Sequence, residues 1–245
     1  MMGRSISYQL LLTLKRGAEN LSDEARQRVC GYVMSQRDAS EAFMNRGYQA
    51  DLYYTMFGWM LCHALDISSD GARREAYLQT VDKAPLDELH LTVLTLCRML
   101  NRLLALPRFT PDSVLRLMAD DEPLVRFFKT YQRHGSGGGT NAWAAGLVSA
   151  PEAEPELVSR LLDMQHESGG FMAHEGSTMP DLLSTAVATF ALSQHHVSPH
   201  YDVRPFIEAH WMECGSFAST LLDEHSDVEY EFYGLLAMGA ADPQH

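Results

Sequence analysis

Four aspartates, Asp51, Asp87, Asp181 and Asp227, each stand at the head of an apolar run, with polar or aromatic partners two or three positions on: Tyr53 and Tyr54, His90, Ser184, and Tyr230. A carboxylate beside a histidine or a tyrosine can move a proton to or from a bound substrate. In "DELH", Asp87 and His90 lie three residues apart; on a helix they share a face and could hold a proton or a metal together. Asn141 and Trp143 occupy the corresponding place in "TNAWAAGLV". The candidate catalytic groups are therefore His90, Asp181 and Asp227. The candidate substrate contacts are Asp51, Tyr53, Tyr54, Asn141, Trp143, Ser184 and Tyr230. Each aspartate also has a plain structural role. A carboxylate in the first turn of a helix meets unsatisfied N–H groups and the positive end of the helix dipole, a contact worth about 0.5–2 kcal/mol.

Other clusters are weaker. His210 and Cys214, four apart with Glu213 between them, offer nitrogen and sulfur to a metal but fall on an expected outer helix. "HGSGGGTN", from His134 to Asn141, reads as a hairpin turn or as an anion-binding nest, with Arg126, Lys129 and Arg133 before it. It lacks the Lys-Ser/Thr of a phosphate-binding loop. His195, His196 and His200 close an apolar run, where histidine complements a helix C-terminus.

Helices must position these groups. Strand signals are nearly absent, and apolar residues recur at helical spacing, as in "LHLTVLTLCRMLNRLLAL" and "LLSTAVATFAL". A pattern repeats along the chain: a helix end, Gly169-Gly170-Phe171, a loop, then a helix restarting at Asp181. Gly215-Ser216-Phe217 with Asp227, and Ala42-Phe43 with Asp51, repeat it; weaker copies restart at Asp87 and near Asn141. Repeats over about 21–66, 71–104, 112–150, 154–196 and 203–240 give five inner helices. Five outer ones are expected near 21–36, 71–81, 112–133, 154–166 and 203–212, with a further helix near 5–17. One helical hairpin cannot bury its apolar face, so the hairpins must stack. Apolar inner and charged outer helices predict a single all-α domain over 1–245, an α/α toroid. The small residues Ala144, Ala145, Gly146, Ala186, Ala188 and Ala191 lean toward an open centre.

Composition narrows the function classes. With 46% hydrophobic residues and 245 positions, the chain can bury a sizeable core. A net charge of -13 repels a phosphate backbone, so no nucleic-acid partner is expected. Four scattered cysteines without a CxxC pair suit a reducing cytoplasm. No apolar run approaches the roughly 20 residues of a membrane span, and the run Leu10–Leu14 is too short for a leader.

The repeated "Q…GGF…D…T", closest in Gln165, Gly169, Gly170, Phe171, Asp181 and Thr185, resembles that of the protein prenyltransferase β-subunits and the squalene–hopene or terpenoid cyclases. The resemblance implies an α/α toroid with an isoprenoid-like substrate in its centre. It also implies catalytic groups at the inner-helix starts, and a partner subunit or homodimer is compatible with it. The chain departs from both enzyme motifs. Leu183 stands where the transferases carry a zinc cysteine, and Tyr54 where they carry the zinc histidine. "DLLSTA" keeps the first acid, threonine and alanine of the cyclase motif but has Leu183 and Ser184 in place of its proton-donating acids. No cofactor is therefore expected, the zinc motif being incomplete. The resemblance points to an isoprenoid-binding toroid, or to a catalytically silent interaction module of the same fold. A glycosidase pair of Asp181 with Asp227 or Glu229 ranks below both.

Overall fold

The computed structural model describes residues 5–106, 110–118, 120–127 and 138–242, and over these the chain is mostly helical. The helices are α1 Ile6–Glu19, α2 Asp23–Ser35, α3 Leu52–Leu65, α4 Gly71–Val81, α5 Glu88–Leu104, α6 Pro111–Leu117, α7 Thr140–Ser149, α8 Pro155–Asp163, α9 Leu182–Gln194, α10 Arg204–Ala209 and α11 Val228–Ala240. A further helical stretch runs over 122–127. The one sheet among the described residues is an antiparallel pair, β1 Trp211–Met212 with β2 Ser216–Phe217. Helices α3, α9 and α11 are buried nearly all round, whereas α2 and α4 bury only two residues each. No described helix is long and apolar enough to cross a membrane.

The repeated motif is a folding device. In each strong copy a backbone N–H reaches back across the turn to the end of the outer helix: Met44 to Gln36 O, Met172 to Met164 O and Ala218 to His210 O, each at 2.9 Å. The turn needs a left-handed residue, supplied by Gly169 (φ 94°) and Gly215 (φ 85°). In the first copy that place belongs to Glu41 (φ 71°), whose carboxylate is held by Arg37 at 2.9 Å and whose carbonyl accepts from the Trp59 indole. The aromatic residue then buries completely, as Phe43, Phe171 or Phe217. The Phe43 and Phe171 N–H groups each donate at 2.9 Å to a threonine hydroxyl of the inner helix, Thr55 or Thr185.

The third copy puts Glu231 at the threonine place. It is fully buried, and neither carboxylate oxygen meets a donor at hydrogen-bond geometry. Burial pushes its carboxyl up to about 8, offset a little by the neighbouring Ser216 hydroxyl.

The first and last helices pack backbone to backbone. A Cβ on Gly17 would come within 1.9 Å of Leu235 O, and one on Gly239 within 1.9 Å of Thr13 O. Helix α1 is anchored at its other end by Asp121, which accepts from the Ile6 N–H at 2.7 Å and the Ser7 N–H at 2.9 Å.

Two elements differ from what the sequence predicts. The single outer helix over 112–133 is interrupted: α6 ends at Leu117 and helix resumes at 122, just before Pro123. Proline lacks the N–H for a helix interior but fits a first turn. Helix α5 is also offset from its neighbour. Cys97 Sγ, not the helix start, lies 3.9 Å from Leu52 O at the start of α3. The stretch from Glu88 to Leu96 therefore runs on past the start of α3 by roughly 13 Å.

Because Glu231 holds a proton when folded that it loses when unfolded, native structure takes up the extra proton between about pH 4.5 and 8. Its contribution to stability is full below pH 4.5 and lost as pH rises through 8. Glu231→Gln should flatten that decline, so the variant gains on the wild type at pH 9 relative to pH 5. Urea unfolding at the two pH values measures it, and an unchanged difference would show that Glu231 ionises normally.

Candidate functional site: an acidic mouth over an apolar centre

Helices α3 and α11 run side by side from the same end. Tyr53 OH donates to Glu229 Oε1 at 2.8 Å, and one turn further in the Phe57 ring lies 4.9 Å from Phe232 and 5.8 Å from Tyr233. The Tyr53 ring stands edge-on to Phe57 at 5.0 Å, so a polar pair caps an aromatic column. Beside it, Arg46 from the 44–50 hairpin bonds Asp227 Oδ2 through Nε at 2.7 Å and Asp223 Oδ2 through Nη2 at 3.0 Å. Its guanidinium lies 5.5 Å from the centre of the Tyr230 ring.

The mouth acids are occupied by helix starts. Asp51 Oδ1 accepts from Tyr53 and Tyr54 N–H, Asp227 Oδ1 from Glu229 and Tyr230 N–H, and Asp181 Oδ1 from Ser184 N–H. Ser184 Oγ adds a bond to Asp181 Oδ2 at 2.8 Å. Burial raises the Asp181 carboxyl, against the Ser184 hydrogen bonds that lower it. Glu229 has no such duty. Burial pushes its carboxyl up to about 7, Tyr53's hydrogen bond opposes this, and the neighbouring Asp227 charge adds to it. Burial likewise raises the hydroxyls of Tyr54, to about 12, and Tyr230, so both stay protonated donors.

Beneath the mouth, α3, α7, α9, α11, α1 and the 122–127 stretch surround a cavity of about 60 Å³. Phe57, Phe127, Phe190, Phe232 and Tyr233 fill its walls. Among the described lining residues only Asn141 and Tyr233 carry a side-chain oxygen or nitrogen, and the Asn141 Oδ1 is buried without a partner. That volume holds about two waters, far below the roughly 300–1,000 Å³ of small-molecule sites.

The predicted ring is thus gathered in part. Asp51, Tyr53, Tyr54, Asp227 and Tyr230 meet at the mouth, with Asp181 and Ser184 on the adjoining α9 and Asn141 at the cavity wall. His90 is not among them. It sits on the overhanging start of α5 with its side chain 42% exposed, its ring bonded to Asp87 at 2.7 Å, and no residue of α5 lines the cavity. Trp143 turns to the outer layer, under Arg160 at 5.6 Å, and Trp59 does the same toward Arg74. Of the small residues expected to open the centre, Ala144 and Ala145 line it. Gly146 instead makes room for Leu157 of α8. His210 gives Nδ1 to Phe206 O, and Cys214 is exposed. Lys129, Arg133 and His134 lie outside the described residues. Among the described residues no three His, Cys, Asp or Glu side chains form a metal-sized group.

No protein-family model matches the chain, and a search of curated proteins finds no match.

Arg46 is the member that sequence reasoning leaves out; Glu229 is weighed there as a mouth acid and as a glycosidase partner of Asp181, but not chosen as a catalytic or substrate contact. Arg46 lies in a loop far from Asp227 in sequence. Glu229 stands in "DVEYE" two residues after its aspartate, the same step as Tyr53 after Asp51, and that shared step was the available signal.

Tyr53→Phe removes the one hydrogen bond that lowers the Glu229 carboxyl, so its titration midpoint should rise above about 7. Carboxyl carbon NMR across pH 5–9 reads it. A midpoint that stays put or falls would contradict the pairing.

Proposed function

We propose that the chain is a recognition module of the α/α-toroid type, working through the loops at its mouth and not by enclosing a substrate. The observation that carries this is the centre itself, filled by aromatic side chains to about 60 Å³. An isoprenoid chain would have to displace Phe57, Phe232 and Tyr233, which pack on one another. The mouth, by contrast, is exposed and amphipathic. The 44–50 hairpin and the 218–226 loop, tied together by Arg46 and Asp223, present Tyr48 (81% exposed), Leu221 (65%) and Leu222 (76%). Asp223 and Glu224 adjoin them. The partner that fits is a polypeptide segment with apolar side chains flanked by basic ones. A second copy fits poorly, because each carries a net charge of -13.

The second reading keeps the toroid as a binder, or transformer, of an isoprenoid-like molecule. Glu229 favours it: a carboxyl held near neutrality above an apolar centre is suited to donate a proton.

Calorimetric titration with farnesyl diphosphate, with and without zinc, and with a neutral C20 terpenoid, separates the two. No saturable heat is expected for any of them. Micromolar binding that Phe232→Trp abolishes would overturn the recognition reading and place an isoprenoid in the centre.

A further inference from the structure

A second concave surface lies on the outer side, where the C-terminal ends of α1 and α11 meet α10 and β1. It is an open groove of about 620 Å³, within the range of ligand sites. Met238 places it about 17 Å along α11 from Asp227, away from the mouth. Leu21, Ile207, Trp211 and Met238 form its apolar walls, and the Trp211 ring is braced edge-on against Phe217 at 5.2 Å.

The rim has one sign of charge to spare. Arg204 is the cation at the groove, and its guanidinium is held by Asp202 at 2.6 Å. Glu208 and Asp242 complete the rim. Helices α1 and α11 end there, at Glu19 and Ala240, while α2 begins there at its Ser22 cap, so two negative helix ends and one positive end face the same space. Asp202, Glu208 and Asp242 share the single Arg204 charge, and an indole wall beside carboxylates in excess attracts an ammonium or guanidinium, whose alkyl stem the leucine, isoleucine and methionine would cover.

We propose that this groove binds a short segment of another polypeptide carrying an arginine or lysine beside apolar side chains. Anionic partners and a second copy of this acidic chain are disfavoured by the same field. The site stands apart from the mouth and does not depend on how the mouth is used.

The test is a titration of the full-length protein with an amidated pentapeptide alternating leucine and arginine, followed by proton–nitrogen NMR. The glutamate-for-arginine peptide is the control. The arginine peptide should shift the Trp211 indole N–H and the Ile207 and Met238 signals saturably, with affinity falling as salt is raised. Glu208→Lys and Asp242→Lys, both at the surface, should each weaken binding at least about threefold without changing the fold. Equal binding of the acidic peptide, shifts confined to mouth residues such as Tyr48, or affinity unaltered in both lysine variants would overturn the proposal.

Discussion

The aspartate at the start of each strong inner helix is the contact on which the rest of this structure leans. An inner helix begins at the edge of an apolar core, where its first N–H groups have no helical acceptor and reduced access to water. Asp51, Asp181 and Asp227 supply that acceptor through one carboxylate oxygen each. For Asp51 and Asp181, the backbone N–H also bonds the carbonyl of the buried phenylalanine that ends the preceding turn. The turn, the aromatic plug and the helix start are thus one unit. Repeating it sets α3, α9 and α11 together and brings their aromatic faces to a shared centre.

That constraint also bears on chemistry. A carboxylate engaged with two or three donors is a poor proton shuttle, because moving its proton disrupts the helix start it supports. The group left free by this arrangement is Glu229, which takes its position from Tyr53 and not from a cap. The mouth therefore combines fixed negative charge, one adjustable carboxyl and tyrosine hydroxyls that stay protonated, all above a centre with little room. Such a surface is better suited to reading another molecule's charge and shape than to surrounding a long apolar substrate.

Much of this was legible in the sequence because it is local. Caps, glycine turns and apolar runs placed helices α3, α5, α7, α9 and α11, and the repeated Asp-to-Thr spacing anticipated the units around Phe43 and Phe171. What escaped was set by tertiary offsets. Nothing in "DELH" reveals that α5 overhangs α3, so His90 read as a mouth residue although it projects past the helix it was expected to accompany. Arg46 belongs to a loop whose partner lies at the far end of the chain. The small residues of α7 and α9 read as room in the centre, yet the space is taken by phenylalanines from α3, α11 and the 122–127 stretch. Side-chain volume summed across helices is not visible in any one of them.

The wild-type centre is closed to apolar guests by its own rings. Benzene binding, followed by proton NMR on the wild type and on Phe232→Ala, measures that closure. A dry apolar cavity of roughly 150 Å³ holds benzene, and the wild-type space is about 60 Å³. The wild type should show no saturable binding, and the folded variant measurable binding with a rise in its melting temperature. Benzene entering the wild type as readily as the variant would show that the centre opens on its own, and would return it to contention as a ligand site.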